Sequence, residues 1–330
     1  MHSLRAQGLK TTSGGKEKII FPGAIEQFTQ TTPRELIQPV LALGYVLLGI
    51  FKVWVLSSFL ADNIVDPVFE NPLQYNTIEV LTGIYGYTAQ LYCNFSGSID
   101  MVIGIAMLLG FQLPPNFAMP FTAVNLRDFW DRWHITLSTW IRDYIYIPLG
   151  GSRHGFLRME ICLIVAMILS GIWHGSTANF AVWGALHGVA LALLNVGDFL
   201  LGKGENRLKE GRKKALHTHG WGRPIAQFFT LQFVTFAFVV FNTTSLDDAF
   251  LIFESLSNYG TPTLNVFTVT MIAMVCIVVF YKYFAMVFDG LVVLLTKLPV
   301  YLLPLPIAFM LFVIISLAPS GIPSFIYANF

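Results

Sequence analysis

The chain has 330 residues, 55% hydrophobic and only 12% charged, with a mean hydropathy of +0.64. That is too apolar for a soluble globule to hide in one or two cores, so lipid is the expected solvent. A net charge of +1 excludes an electrostatic footprint for nucleic acid. The three cysteines, Cys93, Cys162 and Cys276, lie in apolar stretches and match neither a disulfide framework nor a metal-ligand spacing, so packing is their expected role.

Residues 1–20 are polar and basic without an apolar core, so they are not expected to be a cleavable signal peptide. Residues 21–330 read as one all-α membrane domain, a polytopic helical bundle with interfacial or re-entrant helices. A spanning helix needs roughly 20 mainly apolar residues. The qualifying windows are about 38–60, 79–110, 159–177, 179–201, 225–242, 264–289 and 298–319. The second is longer than one crossing and is interrupted by Asn94-Phe95-Ser96-Gly97-Ser98, which predicts a broken helix or two short elements lined by protein or a water-filled cavity. Loop 202–224 carries seven Lys or Arg against two Glu, which places it in the cytoplasm. Alternation then puts the acidic segments 61–78 and 244–263 outside and 112–158 inside. No internal repeat supports an inverted-repeat transporter.

Between the second and third windows, residues 125–153 interleave charge and tryptophan at helical spacing. At 100° per residue, Trp130, Trp133, Leu137, Trp140, Ile141 and Tyr144 share one face, while Arg127, Asp131, His134, Ser138 and Arg142 share another. Arg127 with Asp131 and Asp128 with Arg132 are i,i+4 pairs. An amphipathic helix in the cytoplasmic interface accounts for the tryptophans and most of the charges. His134 is less well explained that way, and beside Asp131 it is a candidate proton carrier or orienting group.

Ser170-Gly171-Ile172-Trp173-His174-Gly175 closes a span that begins near Met159, leaving His174 about 22 Å of helix away from the cytoplasmic loop. An ionisable group at that depth usually faces a cavity or a partner. Gly171 and Gly175 flank it at a small-xxx-small spacing that permits close helix packing or leaves room for a substrate. A packed histidine bonded to a neighbouring helix is the alternative. His187, in Trp183-Gly184-Ala185-Leu186-His187-Gly188, reads as mainly structural. Asp100 is an intramembrane acid suited to capping a helix or lining a cavity. His2, His154, His217 and His219 lie in polar segments and are expected to be solvated.

The run Phe129-Trp130-Asp131-Arg132-Trp133-His134, then Leu137-Ser138-Thr139-Trp140-Ile141-Arg142-Asp143-Tyr144 and Ile147-Pro148-Leu149-Gly150-Gly151, resembles the signature of the membrane-bound O-acyltransferase family, in its alginate and peptidoglycan O-acetyltransferase branch. Tyr92 to Gly97 with Asp100-Met101, Phe111 to Pro120, Gly171 to Gly175, Trp183 to Gly188 and the terminal Phe325-Ile326-Tyr327 are similar pieces in the same order. The resemblance runs over roughly residues 20–330.

The resemblance implies a helical bundle around a tunnel, with the acyl donor reaching a histidine from the cytoplasm and the acceptor reaching it from outside. It puts His174 at the family's catalytic histidine and His134 at its second motif histidine, with Asp131, Arg142, Asp100 and Trp173 as tunnel-lining or supporting residues. It implies acetyl-CoA as donor, with no tightly bound cofactor and no metal. The acceptor would be an exopolysaccharide or cell-wall glycan, reached through a periplasmic acetyltransferase partner, and the location a bacterial inner membrane. Asn94 stands where this branch usually has an acid, and Asp131 where a basic residue is common. The segment near Phe21-Pro22-Gly23 resembles an internal loop of the fold, so several N-terminal spans are expected to be missing. The competing classes are a proton-coupled transporter using Asp100, His174 and His187 as a relay, and a non-catalytic or truncated member of the family.

Overall fold

The computed structural model describes residues 9–13, 16–20, 24–29, 34–153, 155–201, 222–261 and 263–319. The expectations for His2, His154, His217, His219, most of the basic loop, Phe21-Pro22-Gly23 and Phe325-Ile326-Tyr327 lie outside the described residues. A short antiparallel hairpin, β1 (Leu9–Ser13) and β2 (Lys16–Ile20), pairs Leu9 with Ile20. All other regular structure among the described residues is helical.

In chain order the helices are α1 (Ala24–Thr29), α2 (Pro39–Glu70), α3 (Thr77–Leu108), α4 (Leu126–Trp130), α5 (Ile135–Ile141), α6 (Phe156–His174), α7 (Ala178–Leu200), α8 (Gly222–Asn242), α9 (Leu246–Ser255), α10 (Val266–Thr296) and α11 (Pro304–Leu317). Among the described residues, α2, α3, α6, α7, α8 and Val300–Leu317 are long and apolar enough to cross a membrane. The window at 264–289 falls in α10, whose apolar stretches are Val266–Phe280 and Met286–Thr296. Helix α2 passes through π-helical turns at Phe51–Ser57 and Ala61–Val65 and runs on to Glu70, beyond its predicted window.

Helix α3 is continuous through Asn94–Ser98, where the sequence predicts a break. Ser98 Oγ donates back to the Asn94 carbonyl at 2.9 Å, so its hydroxyl is satisfied within the helix and needs no interruption.

The chain divides into two compact units. The first comprises residues 1–60, 89–114 and 273–326. Here α2 and α3 approach backbone to backbone: a Cβ on Gly49 would overlap the Gly97 carbonyl oxygen, and one on Gly104 would overlap that of Ala42. Lys52 Nζ pairs with Asp100 Oδ2 at 2.6 Å and donates to Ser96 Oγ at 3.3 Å. Asp100 therefore sits in mid-helix as half of an ion pair, rather than capping an end. Leu41, Ala42, Tyr45, Met107 and Val292 form the core, with Phe288 against it.

The second unit comprises residues 61–88, 115–272 and 327–330. Gly83 and Gly86 of α3 lie against Val68 and Ile64 of α2. Helix α9 starts with a capping box between Ser245 and Asp248, the arrangement that satisfies two orphan amides at once. Beyond it, Asn258 donates to the carbonyls of Leu73 and Tyr75 at 3.1 and 2.9 Å, and Asn265 donates to Glu79 at 2.6 Å. These bonds bring the two acidic segments together. The α6–α7 hairpin is closed by glycines, because a Cβ on Gly171 would overlap the Phe180 carbonyl and one on Gly184 that of Met167. Asn179 fastens α7 to α8 by donating to the Thr243 carbonyl and hydroxyl at 2.9 and 3.0 Å.

Candidate active site

His134 and His174 both belong to the second unit, and their imidazoles lie within electrostatic reach of each other. His174 is the last residue of α6 and is 4% exposed. Its ring meets Trp173, Phe241 and Trp183 with centroids at 5.0, 5.1 and 5.6 Å, all edge to face, and Phe180 at 6.4 Å. The close helix approach at Gly171 and Gly184 places these α7 and α8 rings around it. A Cβ on Gly175 would overlap the Phe180 ring, so both flanking glycines are occupied by packing and leave no substrate space at these positions. Trp173 touches His174 on one side and is otherwise 59% exposed.

The 125–146 stretch is two helices, where its periodicity predicts one. Asn125 caps α4 by accepting the Asp128 amide at 2.9 Å, and Asp128 bridges to Arg132 at 2.7 Å, as the i,i+4 spacing predicts. The chain then turns, and His134 adopts the left-handed region with φ 44° before α5 begins. The predicted faces are split accordingly. Trp133, Leu137 and Ile141 are buried, whereas Trp140 and Tyr144 are exposed and stack on each other at 5.5 Å.

The turn is held from a distance by Asn116. Its carbonyl accepts the Ile135 amide at 3.0 Å, and its Oδ1 accepts the Thr136 amide and hydroxyl at 3.0 and 2.9 Å. The same Oδ1 lies 3.4 Å from His134 Nδ1. Burial pushes the His134 imidazole down to about 4, because a charged ring is disfavoured away from water. At neutral pH it is therefore an uncharged group with one N–H and one lone pair to offer.

Arg127, which helical spacing pairs with Asp131, reaches across to α7 instead. Its Nη1 bonds Asp198 at 2.7 Å and its Nε bonds Asn195 at 3.0 Å, while Asn195 donates to Glu160 of α6 at 2.9 Å. This chain of polar contacts fastens α4 to the helix that carries His174. Asp131 is exposed at the C-cap of α4 and lies in the field of Arg142, whose guanidinium is bonded to Asp143 at 2.6 and 2.9 Å and is held above its ordinary value chiefly by that bond. Asp100 is in the first unit. The residues that periodicity missed are Asn116, Phe180 and Phe241. Asn116 carried one signal, its place directly after Pro114-Pro115 in a largely apolar stretch.

A family model for membrane-bound O-acyltransferases matches residues 25–201. Over 184 residues the chain is 38% identical to a probable alginate O-acetylase of Azotobacter vinelandii, covering 56% of this chain and 34% of that one. It is 34% identical over 218 residues to a peptidoglycan O-acetyltransferase of Helicobacter pylori, covering 66% and 39%. A teichoic acid D-alanyltransferase of Streptococcus thermophilus is 27% identical over 215 residues, covering 61% and 51%. The chain thus spans between about a third and a half of the length of these curated relatives. Its match covers more than half of the chain, includes both histidines and accords with the apolar helices: the chain is a multi-pass integral membrane protein that belongs to the membrane-bound O-acyltransferase family.

Proposed function

We propose that the chain carries the histidine centre of an O-acyltransferase that moves an acetyl group from cytoplasmic acetyl-CoA towards hydroxyls of an exopolysaccharide or cell-wall glycan, in a bacterial inner membrane. The observation that carries this reading is that His134 and His174, from separate elements of the second unit, lie within electrostatic reach of each other, with the His174 ring buried among aromatic side chains. The relatives named for alginate and peptidoglycan favour a glycan acceptor, reached through a periplasmic acetyltransferase partner.

In this mechanism His174 takes the proton of the acceptor hydroxyl as its oxygen attacks the acetyl carbonyl carbon. The tetrahedral adduct then collapses, the carbon–sulfur bond breaks, and the imidazolium returns its proton to the departing thiolate. His134, oriented through Asn116, positions the donor or the base. A proton relay through Asp100 is disfavoured by its 2.6 Å contact with Lys52, which already engages that side chain.

The test is acetyl transfer from labelled acetyl-CoA by membranes containing this chain, alone and with candidate periplasmic partners, compared with His174→Ala at matched protein levels. Transfer that disappears with His174 is the expected result. A well-folded native chain that transfers nothing, even with partners, would overturn the reading in favour of a non-catalytic member of the family.

A further inference from the structure

His187 is 0% exposed, and neither of its ring nitrogens has a hydrogen-bond partner among the described residues. The indole nitrogens of Trp130 and Trp183 are buried and equally without partners there. These three rings touch one another, with centroids 4.9 Å apart for His187 and Trp183, 5.3 Å for His187 and Trp130, and 5.8 Å for Trp130 and Trp183. Buried polar atoms in folded proteins nearly always have a partner. Four unsatisfied nitrogens on three contacting rings, drawn from α4 and α7, call for a polar partner beyond the described residues.

The chemistry of that group follows from what the rings offer. Each indole donates one N–H and accepts nothing, and a neutral imidazole adds one donor and one acceptor. The complement is an uncharged oxygen that accepts from N–H and donates one O–H, which describes a hydroxyl. Phe129 and Phe233 pack on the other sides of His187 at 6.5 and 5.3 Å, and these apolar walls disfavour an ion. Trp183 also packs against His174 at 5.6 Å, so the cluster adjoins the candidate catalytic ring.

We propose that Trp130, Trp183 and His187 form a buried hydroxyl-binding site, taking either an internal water or the alcohol group of the acyl acceptor. The second source rests on the acyltransferase reading, whereas the site itself does not.

The experiment compares the native chain in detergent with His187→Leu, which is apolar, and His187→Asn, which keeps one donor and one acceptor. Thermal unfolding with an alginate oligosaccharide present as the hydroxyl source reads the site without reference to activity. His187→Leu is expected to lower Tm by about 3 °C or more, with most of that loss restored in His187→Asn. Steady-state transfer at varied concentration of the same alginate oligosaccharide then separates the sources. A KM for acceptor raised roughly five- to tenfold in His187→Leu, with the donor KM unchanged, assigns the site to the acceptor hydroxyl. A Tm loss with both KM values unchanged assigns it to water. If His187→Leu fails to accumulate, Trp130→Phe removes one indole N–H while keeping an aromatic ring, and a lowered Tm supports the site. A His187→Leu protein as stable as the native chain, equal losses in the Leu and Asn variants, or an unchanged Tm in Trp130→Phe would each overturn it.

Discussion

The carboxamide oxygen of Asn116 lies 3.4 Å from His134 Nδ1 while accepting the amide and hydroxyl of Thr136 at 3.0 and 2.9 Å. One side chain thus caps α5 from outside the helix and sets the imidazole at its start. Losing a cap of this kind costs about 0.5–2 kcal/mol. Asn116→Ala is therefore expected to lower Tm in detergent and to reduce kcat for acetyl transfer by more than the residual folded fraction explains. An Asn116→Ala protein with native kcat would show that His134 needs no such support.

His134 is one of three residues other than glycine with positive φ among the described residues. Left-handed backbone costs an L-residue roughly 1–2 kcal/mol, and glycine escapes most of that cost. His134→Gly is accordingly expected to fold at least as stably as His134→Ala, and both are expected to lose transfer activity. The comparison is read by thermal unfolding beside the transfer assay. Activity that follows stability instead of the imidazole would reduce His134 to a structural turn residue.

The same burial sets a pH dependence. The folded imidazole sits at about 4, below its ordinary 6.5, so the unfolded chain binds more protons than the folded one between those values. Stability from this group is complete above about pH 6.5 and falls as pH drops towards 4. Tm of the native chain should therefore fall more steeply over that window than Tm of His134→Asn. Parallel curves would mean that the ring is solvated.

What the sequence made legible were the features that repeat within one segment. Apolar windows foretold the helices because about twenty apolar residues have few alternatives in lipid, while the glycines beside His174 allowed either a close approach or substrate space, and the structure uses them for packing. The break at His134 was illegible because its cause lies elsewhere in the chain: Asn116 and Ala118 take up the backbone groups of Ile135 and Arg132, while the 100° pattern runs on undisturbed. Arg127 misled for a related reason, since an acid four residues away was outcompeted by Asp198 on a different helix. At Ser96–Ser98 the error ran in the opposite direction. Polar residues suggested a gap, yet Ser98 bonds back to its own helix and Ser96 accepts from Lys52.

Gly171 and Gly197 give a matched pair of substitutions. A Cβ on Gly171 would overlap the Phe180 carbonyl, whereas one on Gly197 would meet nothing within 4 Å. Gly171→Ala should force α6 and α7 apart and displace the rings around His174, lowering both Tm and transfer. Gly197→Ala should leave activity unchanged and raise stability by about 0.5–1 kcal/mol through helix propensity. Equal behaviour of the two variants in thermal unfolding would contradict the close backbone approach.

The Lys52–Asp100 pair in the first unit leaves 18% and 17% of the two side chains exposed and joins α2 to α3 at 2.6 Å. Its attraction offsets a large desolvation cost, so the two residues should be far more costly to remove singly than together. Lys52→Met leaves the Asp100 carboxylate without its counter-charge, and Asp100→Leu does the same to the ammonium. Each is expected to destabilise by about 3–5 kcal/mol. The double variant replaces both charges with apolar groups between helices that already approach closely at Gly49 and Gly97, and it should recover most of the loss. A double-mutant cycle in detergent measures the coupling directly. Additive losses would mean that the charges act independently, and a double variant that is stable yet inactive would assign the pair a role in transfer beyond holding the helices together.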